Sequence, residues 1–280
     1  MYEYRETFHI VRMAKVLKVS ESGYYKWVRC REGGPGEKAV SDRLLSEEID
    51  KIFRASRGSY GSRKITAVLR RSRIVNHKRV ERLMRERGLF SRTRRQYLIT
   101  TDSDHDEPVA DNLLGRNFLA EHPDEKMVSD TTVVKTSQGK LYVAAILDLY
   151  GRMPVGMAMS RNNDRHLVMD ALQDMLIRGR GKKGCIVHSD RGSTYASREY
   201  RQLLEHHGLI CSMSGKGDCW DNAPMECFWG KMKHEWLKPR YRRIDEAARD
   251  IYEYVWDFYP YERPHEALGY ATPMEIFCCQ

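Results

Sequence analysis

Lys126-Met-Val-Ser-Asp130-Thr-Thr-Val-Val-Lys-Thr136-Ser-Gln-Gly139-Lys-Leu-Tyr-Val-Ala-Ala-Ile-Leu-Asp148-Leu149 is the stretch whose reading decides the fold. Its apolar and β-branched residues fall into two runs, Lys126 to Thr136 and Lys140 to Leu149, parted by the turn residues Ser137-Gln-Gly139, and both read as strands. A third strand fits Met153 to Ser160. Beyond it Asp164 can cap a helix bearing Val168, Ala171, Leu172 and Met175, and Cys185 to Ser189 makes a short buried strand. A helix with Tyr200, Leu203 and Leu204 follows, then a strand from Leu209 to Met213. The last helix of this block carries Met225, Trp229, Met232 and Trp236 on one stripe. The expectation is an α/β fold, an antiparallel meander followed by alternating helices and strands.

Three carboxylates stand on separate elements of this block: Asp130 on the first strand, Asp190 closing Cys185-Ile-Val-His-Ser-Asp190, and Glu226 on the last helix. Singly, an Asp at a strand end is usually a cap and a Glu on an amphipathic helix usually faces water. Together, on elements that apolar residues would bury, they are what a site for two Mg²⁺ ions needs, since hard cations take oxygen ligands. The implied chemistry is metal-assisted phosphoryl transfer.

The constellation resembles the DDE transposases of the IS3 family and their wider kin, the retroviral-type integrases. Asp130-Thr-Thr132, Leu141 to Arg152, His188-Ser-Asp190-Arg-Gly192-Ser-Thr-Tyr195, Ser212-Met-Ser214 and Asp221-Asn222-Ala223, leading to Glu226 and Lys233, carry the resemblance over nearly the whole chain. Two positions depart from the family pattern, Met127 for a common Trp and Pro260 for a usual Asn. The resemblance implies an RNase H-like catalytic core behind N-terminal helix-turn-helix modules. It implies that Asp130, Asp190 and Glu226 are the catalytic residues and hold two ions of Mg²⁺ or Mn²⁺. It implies cleavage and strand transfer at the ends of an insertion sequence, with double-stranded DNA as partner, both terminal inverted repeats and target. A homo-oligomer on DNA and a fusion to the product of an upstream frame are expected on the same ground. Lys233 follows Glu226 by two helical turns and would share its face, next to the scissile phosphate. Asp148 is expected to support the site or the fold, and Asp221 and Asn222 to cap the Glu226 helix. Lys216 sits in the glycine-rich Ser212-Met-Ser-Gly-Lys-Gly-Asp218, a loop suited to closing over DNA.

Charge divides the chain unevenly. Residues 1 to 100 hold 25 Lys and Arg against 11 Asp and Glu, a net of +14, within a whole-chain net of +9. The basic half is the nucleic-acid half, because cations that neutralise phosphates supply the sequence-independent part of such binding. A short helix-turn-helix segment is expected over 1–35, with Ser20 capping a helix that bears Tyr24, Trp27 and Val28, and a helix-turn-helix DNA-binding module over 36–95. In the latter, Asn76 caps a helix whose Val80, Leu83 and Met84 face inward while Lys78, Arg79, Arg82 and Arg85 are placed to meet a groove. Residues 96–122 read as a linker, 123–238 as the catalytic core, and 239–280 as a C-terminal extension packing on that core through Ala248, Ile251, Tyr252, Val255 and Tyr259.

Other readings fail on context. No apolar stretch approaches the roughly 18 residues of a membrane span and no signal-peptide core follows Met1, so a bacterial cytoplasmic protein at the nucleoid is expected. Cys211, Cys219 and Cys227 lack a C-x₂-C spacing and read as structural thiols. Gly179-Arg-Gly181-Lys-Lys-Gly184 follows a helix and precedes a strand, the reverse of a dinucleotide-binding turn. His188 and Ser189, adjacent on a strand, point to opposite faces and cannot pair as base and nucleophile.

Overall fold

A computed structural model describes residues 1–33, 36–91, 110–215 and 219–278, the Cys219 side chain excepted. Helices α1 (Ile10–Val16) and α2 (Glu21–Glu32) form the first expected hairpin. Lys18 turns the chain at φ +55°, and Ser20 Oγ accepts the Gly23 N–H at 3.0 Å. Ala14 and Tyr24 are its buried apolar side chains among the described residues.

Helices α3 (Glu37–Ala55), α4 (Ser62–Leu69) and α5 (His77–Glu86) form a three-helix module around Ile49, Ile65, Leu69, Val80 and Leu83. As expected, Asn76 caps α5, its Oδ1 accepting the Lys78 N–H at 2.9 Å. The connector is a different matter. Arg92, Arg94 and Arg95 and the acidic run after them lie outside the described residues, but 110–122 belongs to the core. Leu114 is buried, Phe118 and Ala120 pack on the same apolar cluster, and the Leu113 N–H donates to Ser212 Oγ at 2.9 Å. The linker expected over 96–122 therefore ends before residue 110.

Strands β1 (Lys126–Thr136) and β2 (Gly139–Asp148) close a hairpin at Gly139, whose φ of +123° would strain any side chain. Strand β3 (Met153–Ser160) pairs antiparallel with β2. Helix α6 (Arg165–Ile177), capped by Asp164, lies so close on β3 that a Cβ at Gly156 would come within 2.5 Å of the Ala171 carbonyl oxygen. Strand β4 (Ile186–Ser189) runs parallel to β1. After α7 (Ser193–Ala196) and α8 (Arg198–His206), β5 (Ile210–Met213) runs parallel to β4. The order β3-β2-β1-β4-β5 places β1 in the middle, the arrangement of an RNase H-like sheet.

Alternate residues of β1 and β2 serve two cores. Met127, Ala144 and Ile146 meet α6 and α8, while Val128, Val143 and Ala145 meet α9 (Ala223–Lys231) and α10 (Ile244–Glu253). Covered on both sides, β2 is a near-continuous apolar run from Leu141 to Leu147, whereas β1 carries the polar Ser129 to Thr132 in its middle.

The stripe from Met225 to Trp236 is not one α-helix. After Lys231 it widens into a π-turn, Met232–Trp236, in which the Leu237 N–H reaches the Met232 carbonyl at 3.1 Å. The extra residue per turn lets Glu235 join Met232 and Trp236 on the buried side. Helix α10 likewise passes into a π-turn, Tyr254–Glu262, which holds Pro260. Its inner face is Ala247, Ile251, Tyr254, Val255 and Phe258, whereas Tyr252, expected in the core, is 52% exposed. Helix α11 (Pro273–Phe277) ends the described chain.

The C-terminal layer also holds the three-helix module. The Arg57 guanidinium lies 3.8 Å over the Trp236 ring and donates to the Trp236 carbonyl at 3.1 Å, and Lys64 Nζ meets Glu235 at 2.7 Å.

Candidate active site

The parallel pairing of β1 with β4 sets Val128 opposite His188. Asp130 lies two residues beyond Val128 and Asp190 two beyond His188, just past the end of β4, close enough for the charge of Asp190 to act on Asp130. Asp130 shares its face of β1 with Val128, the face that α9 covers. Glu226 lies in the first turn of α9, on its exposed side, while Met225, Phe228 and Trp229 anchor the helix on the sheet. The structure thus brings the three expected carboxylates to one end of the sheet.

Their charges act on one another. Burial pushes Asp130 well above the usual carboxylate range. Asp190 and Glu226 push the same way by charge, while the Thr131 backbone N–H opposes them. Burial also raises Glu226. Lys233, at the start of the π-turn, is lowered by burial and supported by the charge of Asp130, so it does face the site as its spacing from Glu226 suggested. Asp190 Oδ1 accepts the Gly192 N–H at 2.9 Å.

A set of polar contacts holds these strands in place. Tyr195 and Ser129 hydroxyls meet at 2.9 Å behind Asp130. Between β4 and β5 the proton order can be deduced. Ser214 Oγ donates to the Ser189 carbonyl, so it must accept from His188 Nε2–H at 3.2 Å, leaving Nδ1 to accept from Ser212 Oγ at 2.9 Å. His188 is therefore neutral and structural, and burial pulls its pKa down to about 4.

Asp221 and Asn222 do not cap α9. Asp221 Oδ2 accepts from Asn112 Nδ2 at 2.8 Å and from the Gly215 N–H at 2.9 Å, and Oδ1 accepts from Arg116 Nε at 2.8 Å. Asn222 Nδ2 donates to the Ser129 carbonyl at 3.0 Å. Both side chains are committed to tying neighbouring segments to the core, through partners in 110–122 and β1 that no local pattern around Asp221 indicates. Asp148 sits three residues along β2 from Ala145, the partner of Asp130, and accepts from the Asp124 and Tyr150 N–H groups and from Arg180. Its role is structural.

The basic residues of α5 are not part of this cluster. Arg79 Nε and Arg82 Nη2 each contact Asp42 of α3 at 2.6 Å, Arg82 also meets Glu86 at 2.7 Å, and Arg85 lies 3.7 Å from Glu81. Lys78 is exposed. Lys216 lies outside the described residues.

Residues 40–97 match the family described as HTH-like domain, and 120–219 and 207–273 match two families described as integrase core domain. The chain is 41% identical over 263 residues to a 31 kDa protein of insertion element IS600 from Shigella sonnei, covering 93% of this chain and 96% of that one. It is 32% identical over 280 residues to the transposase InsF for insertion sequence IS3A of Escherichia coli K12, covering 98% and 96%. The HTLV-2 integrase catalytic core domain in complex with magnesium superposes with a TM-score of 0.43 at 14% identity, over 56% of this chain and 97% of that one.

Proposed function

The chain belongs to the IS3 family of transposases, an integrase core behind a helix-turn-helix-like domain, and on that premise we propose that Asp130, Asp190 and Glu226 are its catalytic carboxylates. It is a polynucleotidyl transferase of the DDE type, acting on DNA in transposition. The observation that carries the residue assignment is the convergence of the three carboxylates at one end of the sheet, where they push Asp130 toward its protonated form.

The donor set fits divalent cations, being all hard oxygen and mutually repulsive until positive charge arrives. Among the described residues no three carboxylate, His or Cys side chains surround a single point. Bound by this set, Mg²⁺ or Mn²⁺ supplies Lewis-acid activation of the attacking hydroxyl and charge neutralisation at the leaving oxygen. The residues of the chain do the rest. β1 and β4 fix the two aspartates, α9 brings Glu226 over them, and Lys233 offers a cation to a phosphate beside the scissile one.

The module 36–95 supplies end binding. Lys78 and Arg85 face solvent, and Asp42 holds Arg79 and Arg82 extended so that their remaining N–H groups can meet phosphates. Lys216 contributes from the loop before α9. The same reading takes the terminal inverted repeats and target DNA as substrates, a homo-oligomer as the working form, and the product of an upstream frame as a fusion partner.

Strand transfer on labelled end DNA tests the assignment. Asp130→Asn, Asp190→Asn and Glu226→Gln should each abolish cleavage and joining while end binding stays near native. Activity retained in any one of them overturns the choice of carboxylates.

A further inference from the structure

Trp220 stands on the one-turn 3₁₀ helix Cys219–Asn222 that leads into α9, six residues before Glu226. It is 68% exposed, whereas Trp229 and Trp236, on the next turns of the chain, are 4% and 7% exposed. One exposed apolar side chain is ordinary on a protein surface. What sets this one apart is how firmly its backbone is tied to the reacting centre. Asn222 holds the carbonyl of Ser129, the residue before Asp130. Asp221 holds the N–H of Gly215, which follows Ser214, and Ser214 in turn holds the carbonyl of Ser189, the residue before Asp190. Two residues of chain span at most about 7 Å, so Trp220 projects from a fixed point close to both strands that carry the aspartates. The side chain of Arg116, half exposed, grips Asp221 beside it. In the same turn the buried Oδ1 of Asn222 has no hydrogen-bond donor among the described residues, an acceptor left for something else.

A rigid aromatic surface next to a phosphoryl-transfer site, with cationic side chains nearby, has an obvious chemical complement in a nucleobase. Within a duplex both faces of a base are covered by its neighbours. Apart from the outer face of a blunt terminal pair, a free face exists only where a nucleotide is unpaired, and that is the state a strand end can reach when its phosphate enters the site. We propose that Trp220 is a DNA-contacting residue of the active site, a platform that stacks on an unpaired base flanking the reacting phosphate. The inference rests on the transposase reading. Stacking of this kind is tolerant of sequence, and its loss typically costs about tenfold or more per base.

The test pairs protein and DNA changes. Trp220→Ala and Trp220→Phe are assayed for cleavage and joining on end DNA that is intact or carries one abasic site at each nucleotide flanking the scissile phosphate. Trp220→Ala is expected to lose about tenfold on intact DNA and nothing further on the abasic substrate that mimics it. Trp220→Phe should keep most of the native rate. Native rates for Trp220→Ala on every substrate, or losses that multiply with every abasic site, overturn the proposal. A second readout needs no chemistry. In an Asp130→Asn chain also carrying Trp27→Phe, the emission difference made by Trp220 should be quenched by DNA with an unpaired end and not by blunt duplex. If native protein joins no DNA, the transposase reading falls, while equal response to both DNA forms sinks the Trp220 proposal by itself.

Discussion

The carboxylate cluster at the sheet end and the ion network beneath the π-turn treat the same chemical group in opposite ways. Asp130 is raised well above its ordinary range by burial and by two neighbouring acids. Glu235, in the π-turn Met232–Trp236, is buried as well, and burial alone would raise it. There Arg263 contacts both oxygens at 2.6 and 2.8 Å, Lys64 adds a third contact at 2.7 Å, and together they hold it down at about 2. A buried acid with its cations built in is finished structure. Acids that raise one another are instead a group that added positive charge would relieve, and that contrast supports the proposed metal site.

Variants can break that contrast, and the largest effect should come from the cluster. Asp130→Asn should abolish joining and, in metal-free buffer, raise the thermal midpoint, since it removes repulsion. Added Mg²⁺ should stabilise the native chain and leave the variant's midpoint unmoved. A variant that melts below native without metal would show that Asp130 is a structural acid after all.

Next in size, Glu235→Gln strands the Arg263 guanidinium, which is 1% exposed. The expected cost is about 3–5 kcal/mol, read by denaturant unfolding. Replacing both partners by apolar residues should recover much of it, and failure to do so would mean the network matters for more than charge.

Acid sharpens the same point. Glu235 has a folded pKa depressed from 4.5 to about 2, so its contribution is fully present above 4.5 and fades as pH falls toward 2. The stability gap between native and Glu235→Gln should therefore narrow over that window. A gap that stays constant would place the proton elsewhere.

The smallest effect belongs to the surface. Arg79→Ala with Arg82→Ala should weaken end binding and flatten its salt dependence by about two phosphate contacts, without loss of fold. An unaltered salt slope would mean that those arginines serve only their contacts within the module and that α5 does not face DNA.

Much of this was legible in the sequence, and the exceptions share a cause. The strands from Lys126 to Ser160, the caps Ser20, Asn76 and Asp164, and the inner faces of α5 and α6 follow from local pattern and local hydrogen bonds. Lys233 comes under the charge of Asp130 from the π-turn, not from the straight α-helix that its spacing from Glu226 assumes. Three features were misjudged. Asp221 and Asn222 looked like caps, residues 110–122 looked like linker, and the stripe through Trp236 looked like one α-helix. In each case the deciding partner lies far along the chain: Asp221 answers to Asn112 and Arg116, Asn222 to Ser129, and Glu235 to Lys64 and Arg263.

The sequence by itself determined the periodicities, the turns and the elements on which the three proposed catalytic carboxylates stand. Only the tertiary structure decided which acids receive a protein cation and which do not. Local preference is set by neighbours within a turn or a hairpin, whereas the charge state of a buried group is set by whatever the fold brings within a few ångströms of it.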